Sequence, residues 1–108
     1  MNRGDAFYIK LEISIDNQFV EQGFADEIEL TINPQAIKNC VKKTLKSDEI
    51  YWDDSQSSYV SFLSQEDTFK LFAGNNSWQI RVLQNDEVIS TSFGILRLGE
   101  VNSEEILT

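Results

Sequence analysis

Histidine is absent from this chain, and that removes most familiar reaction centres. A Ser-His-Asp or Cys-His arrangement cannot be assembled without an imidazole base, and histidine ligands to a metal are excluded with it. The one thiol, Cys40, sits among lysines but has no base or second cysteine to work with. It reads as a small filler residue rather than a nucleophile. Paired carboxylates recur at Asp26-Glu27, Asp53-Asp54, Glu66-Asp67, Asp86-Glu87 and Glu104-Glu105. Neighbours on a strand point to opposite faces, and neighbours in turns are solvated, so such pairs do not converge on one reacting atom. Glycosidase chemistry would need two carboxyls roughly 5–9.5 Å apart across a cleft. Asp48, Glu49, Asp53, Asp54 and Ser55 lie close together, but they lack the alternating acids and sharp-turn glycine of a calcium loop. The expectation is a protein that is not an enzyme and uses no cofactor and no metal.

Two groups of residues point to binding instead. Lys38, Lys42, Lys43 and Lys46 form a basic run with no acid between positions 37 and 47, on a chain whose net charge is −9. Such a run is commonly a solvated strand edge, where lysines discourage pairing. Set against an acidic remainder, it also favours head-to-tail contact between copies, or docking on a neighbour. The expected contact is the edge Ile37 to Leu45 against an acidic edge such as Asp26 to Thr31. The second group is aromatic. Tyr51 and Trp52, with carboxylates nearby, make a candidate glycan surface, whereas Trp78 opens a core-facing series. Nucleic acid and anionic membranes would repel so acidic a chain and are not expected partners.

The elements that position these residues read as β-structure. Phe7 to Ile15 alternates strictly, with Phe7, Ile9, Leu11, Ile13 and Ile15 on one face. Asp16-Asn17-Gln18 is a turn by composition. Glu27 to Ile32 alternates again, turning Ile28, Leu30 and Ile32 inward. Asn33-Pro34 is compatible with a helix start, which would align Ile37, Val41 and Leu45, or with an edge strand allowing one helical turn at Pro34. Glu49 to Trp52 is a brief strand. Tyr59 to Leu63, apolar in both phases, predicts a central one. Ser64-Gln65-Glu66-Asp67 has the spacing of a capping box before a helical turn or two, with Phe69 and Phe72 plugging the core. Trp78 to Leu83 and Val88 to Leu98 form a hairpin across Asn85-Asp86-Glu87. In its second arm the apolar phase shifts beside Gly94, which predicts a bulge or a crossing between sheets.

These strands, about seven or eight short ones with at most one short helix, predict an all-β, mainly antiparallel fold, an immunoglobulin-like β-sandwich. At 108 residues the chain is one domain, with a flexible lead at 1–5 and a polar tail at 100–108. The expected core comprises Ile9, Leu11, Ile13, Leu30, Val60, Phe62, Phe69, Trp78, Ile80, Val82 and Phe93. A single cysteine rules out an internal disulfide. The N-terminus lacks the apolar region of a signal peptide, and no apolar run is long enough to span a membrane.

The segments LSQEDTFKL at 63–71, WQIRV at 78–82, VISTS at 88–92 and LGEVNSEEIL at 98–107 resemble a family of small proteins encoded in phages and prophages of Gram-positive bacteria. The match covers the second half of the chain, with a weaker likeness at Phe7 to Ile15. It implies a minor structural or hypothetical phage protein and brings no catalytic residues. The expected function is a non-enzymatic structural or adaptor protein of a phage particle, acting by protein–protein contact. Its expected partners are other phage structural proteins or copies of itself in a homo-oligomer. It would reside in the host cytoplasm during assembly and then in the virion. Two alternatives stand beside this: a carbohydrate-binding module contacting the host envelope through Tyr51 and Trp52, and a small acidic regulator that binds a basic host protein.

Overall fold

Strict alternation of polar residues (Glu27, Glu29, Thr31) and aliphatics at Glu27–Ile32 does form a strand, and it lies in the middle of the larger sheet. The computed structural model of the chain describes residues 2–99, so the tail expected at 100–108 lies outside the described residues. In chain order the strands are β1 (Phe7–Leu11), β2 (Ser14–Ile15), β3 (Gln18–Phe19), β4 (Glu27–Ile32), β5 (Val41–Thr44), β6 (Ile50–Asp53) and β7 (Ser58–Leu63). A short helix α1 (Gln65–Lys70) follows, then β8 (Gly74–Gln84) and β9 (Glu87–Leu98). Every pairing between strands is antiparallel. The fold is all-β and sandwich-like. A three-stranded sheet in the order β1-β7-β6 faces a four-stranded sheet in the order β5-β4-β8-β9, and β2 and β3 make a separate small hairpin.

One buried cluster joins the two sheets. Leu11, Ile50, Tyr59 and Leu63 enter it from one side, and Ile28, Leu30, Ile32, Ile80 and Val82 from the other. Fully burying each such aliphatic is worth roughly 1.5–3 kcal/mol, so this shared layer is what holds the sheets together. β7 is central in its sheet, as its apolarity in both phases predicts.

Local chemistry explains the joins. Asp16-Asn17 and Asn85-Asp86 all have positive φ, the requirement of two-residue type I′ hairpins, and Asn and Asp tolerate it better than bulkier residues. At the head of α1 the capping box is complete: Asp67 N donates to Ser64 Oγ at 3.1 Å, and Ser64 N donates to Asp67 Oδ2 at 3.0 Å.

The expected core needs correction at several places. Leu11, Ile13, Leu30, Val60, Ile80 and Val82 are buried, and Ile9 and Trp78 pack against the core half-buried, whereas Phe69, also half-buried, packs its ring against Gly4 and Arg3. Phe62 is 42 % exposed and Phe93 72 % exposed, both on outer sheet faces. Phe72 does not plug the core either; it faces solvent. The alternating strand at Phe7–Ile15 stops at Leu11 and resumes as β2.

The segment Asn33 to Leu45 is neither a helix nor a strand throughout. Asn33 has φ +55°, so it starts no helix, and Ile37 is 97 % exposed in a loop. The edge strand is confined to Val41–Thr44. The shift of apolar phase beside Gly94 marks no crossing: β9 stays with β8 throughout, and the bulge lies elsewhere. Val82 opposes Ser90 and Leu83 opposes Val88, which leaves Ile89 as the extra residue.

Residues 2–5, expected as a flexible lead, are tied down. Arg3 Nε donates to Leu71 O at 2.9 Å and Nη2 to Phe69 O at 2.8 Å, satisfying carbonyls at the end of α1, where a cation is favoured. Gly4 N donates to Thr68 Oγ1 at 2.9 Å.

Candidate interaction surfaces

The lysine run is largely engaged within the molecule. Lys42 Nζ lies 3.3 Å from Glu29 Oε2 on the outer face of the four-stranded sheet. Lys43, which pairs with buried Leu30 and so points inward, lies 2.9 Å from Asp67 Oδ2 and 3.7 Å from Glu49 Oε2. It ties β5 to the helix and to the start of β6. Lys38 and Lys46 are exposed, without a carboxylate in ion-pair range among the described residues. The four lysines therefore do not form one patch. The acidic edge expected at Asp26 to Thr31 is not an edge, because β4 is flanked by β5 and β8.

Asp67 receives its partners from two elements. Burial by itself would raise its carboxyl, but the hydrogen bond and charge of Lys43, together with Ser64, outweigh that and hold it below its ordinary value. A depressed folded value means the stabilisation is complete above the unfolded carboxylate range, near pH 4, and is lost as pH falls through the folded value. Asp67→Asn is expected to cost about 1–2 kcal/mol at neutral pH through the lost cap and charged hydrogen bond. It should also flatten the acid limb of stability. Urea midpoints for both proteins from neutral pH down to about 2 check this, and parallel curves would refute it.

Tyr51 and Trp52 cannot form one glycan surface. Adjacent on β6, they leave on opposite faces. Trp52 turns inward, edge-on to Tyr59 with ring centroids 5.1 Å apart, and its Nε1 donates to Asp54 Oδ1 at 2.7 Å. Tyr51 turns outward, where it joins residues not singled out from the sequence as site candidates. Tyr8 and Phe62 oppose each other across β1 and β7 with ring centroids 4.9 Å apart. The Tyr51 hydroxyl is pushed above its ordinary value, first by partial desolvation and then by neighbouring Tyr8. Tyr8, Phe62 and Tyr51 thus share the outer face of the three-stranded sheet over buried Val60. A signal for this existed: Tyr8 lies out of phase with Ile9 and Leu11, and Phe62 out of phase with Tyr59 and Leu63.

Between the sheets, beside β1, lies a cleft of about 330 Å³ lined by Ile9, Leu30, Ile32, Trp78, Ile80 and Leu96. Lys10 and Glu12 at its rim pair with each other at 3.1 Å. The lining is apolar and brings no catalytic group into convergence.

The acids of the 48–55 region serve their own turn. Asp53 accepts from Ser55 N at 2.9 Å, Ser55 Oγ at 2.6 Å and Gln56 Nε2 at 2.9 Å. Those bonds from Ser55 and Gln56 hold its carboxyl below the ordinary value. Among the described residues no three Asp, Glu or Cys side chains gather closely enough to hold a metal ion, and no helix is long and apolar enough to cross a membrane. Comparison with protein-family models, with curated proteins and with solved structures finds no match for the chain.

Proposed function

We propose that this protein is a non-enzymatic structural or adaptor component of a phage or prophage particle and works by protein–protein contact. The observation that carries the contact reading is where its apolar surface lies. Phe93 and Ile95 stand out from one sheet, and Tyr8, Phe62 and Tyr51 from the other. Exposed apolar groups gathered on open sheet faces suit protein partners better than they suit a small substrate. The particle assignment rests on the sequence resemblance. Fractionating infected or induced cells tests it. A particle component sediments with virions, whereas a chain found only in the soluble fraction would leave the assignment without support and favour an acidic regulator.

One observation favours a second reading, a carbohydrate-binding module. The outward rings of Tyr8, Tyr51 and Phe62 form an aromatic face flanked by Lys10 and Asp53, a surface on which a sugar ring can stack. Specific glycan-array or cell-wall binding that Tyr51→Ala abolishes, and Trp52→Ala does not abolish by direct contact, would replace the first reading with this one.

A further inference from the structure

We propose that β9 is a self-complementary edge through which two copies of this chain pair, antiparallel and about a two-fold axis at Ser92. The inference rests on reading the chain as a contact protein, and it names the partner.

The edges of the two sheets are not alike. β5, β6 and β1 have four, four and five residues. β5 carries Lys42 and Lys43, and β6 ends on Asp53. Short length and charge are the ordinary protections of an edge strand. β9 has twelve residues, and its charges and its bulge lie toward its ends, at Glu87, Ile89 and Arg97, which leaves the middle of the strand open. Among the described residues it pairs with β8 on one side only, and from Val88 to Leu96 it contains no charge and no proline. Among the described residues the other backbone partners in this region lie beyond the strand's end, where Arg3 N donates to Gly99 O. Phe93 and Ile95, 72 % and 62 % exposed, stand on its outer face. The inward residues Ser90, Ser92 and Gly94 are small and half-covered, so the opposing sheet does not reach far enough to block an approaching strand.

The sequence of β9 selects a second copy as that strand. Its uncharged run is bracketed by charges of opposite sign, Glu87 at one end and Arg97 at the other, each five residues from Ser92 in sequence, although the extra residue Ile89 brings Glu87 one ladder step closer and turns it to the inner face. Antiparallel pairing centred on Ser92 brings Glu87 of each copy to the end where the other's Arg97 lies, whereas parallel pairing would bring like charges together. The same register sets Phe93 of each copy across from Thr91 of the other, with Ile95 on the diagonal. The result is a continuous eight-stranded sheet with a closed, isologous contact. Away from this strand two chains of net charge −9 repel each other, so salt should strengthen the dimer. A contact held by lysine–carboxylate pairs would respond in the opposite sense.

Light scattering and sedimentation of the purified full chain, up to about 1 mM and at low and high salt, read the association. The expected result is a dimer favoured by salt and weakened about tenfold or more by Ile95→Lys, a change at an exposed side chain that leaves the monomer folded. In a Cys40→Ser background, Ser92→Cys should form an intermolecular disulfide readily, since directly opposed residues lie about 4.5–5.5 Å apart. Lys42→Cys, on the opposite edge, should not. A chain that stays monomeric at high salt, a dimer indifferent to Ile95→Lys, or a disulfide at position 42 instead of 92 would each overturn the proposal. None of these results depends on a particle, so failure here is separate from failure of the particle assignment.

Discussion

Replacing Asn76 by alanine is expected to remove about 3–5 kcal/mol of folding stability, a large share of the roughly 5–15 kcal/mol a domain of this size possesses. The side chain is fully buried, and its amide is the meeting point of three segments. Its Oδ1 accepts from Phe72 N and from Asn33 Nδ2, both at 2.8 Å. Its Nδ2 donates to Phe72 O at 2.8 Å, with longer contacts of 3.4 Å to Gly74 O and Leu96 O. Asn33 extends the network: Ser77 N donates to its Oδ1 at 3.1 Å, and its Nδ2 also donates to Asn39 O at 2.9 Å. Alanine would leave the Phe72 N–H and C=O and one Asn33 interaction unpaired beside the core. Each unpaired buried group costs about 1–3 kcal/mol, and because they share a network the costs will not simply add. Urea unfolding followed by circular dichroism measures the loss. A loss below about 1 kcal/mol would show that water replaces the amide and that this network is not what pins the loop after β4 to β8.

Much of the frame was legible because it is local. Alternation at Glu27–Ile32, Asn-Asp chemistry at the hairpin turns, and the Ser64–Asp67 spacing each involve residues close in sequence. Asn33 was harder, since the side chain that suits an N-cap also tolerates a left-handed backbone, and only its distant partner Asn76 decides between them. The lysines failed for the same reason. Lys42 and Lys43 look free in a sequence that holds Glu29, Glu49 and Asp67 elsewhere, yet the fold brings those acids to them. Phe93 departs from a different rule, that the more apolar phase of a strand faces the core. On an outermost strand beyond the cover of the opposing sheet, the inner phase can be filled by Ser90, Ser92 and Gly94, and the apolar phase left outside. Tyr51 and Trp52 were readable. The rule that separates adjacent carboxylates on a strand separates these two rings as well.

Gly94→Ala should destabilise the protein by about 1–3 kcal/mol, the range for forcing extra volume into a packed site. In most strands this change would help, because alanine restricts the unfolded chain and glycine weakens a strand. The sign here comes from Trp78. It opposes Gly94 across β8 and β9, and its indole lies over the glycine so closely that a Cβ at 94 would overlap Cζ2, Cε2 and Nε1 of the ring. These atoms belong to a rigid bicycle, so the whole side chain must swing away rather than flex at a tip. Moving it would uncover the cleft that Trp78 lines with Ile9, Ile80 and Leu96, adding exposed apolar area to the steric cost. Trp78→Leu removes the ring and should itself be destabilising, but in that background Gly94→Ala should cost less than about 0.5 kcal/mol or turn favourable. A double-mutant cycle by urea unfolding measures the coupling. Equal costs of Gly94→Ala in both backgrounds would show that the penalty arises in the β9 backbone, and that Trp78 is not what requires a glycine at this position.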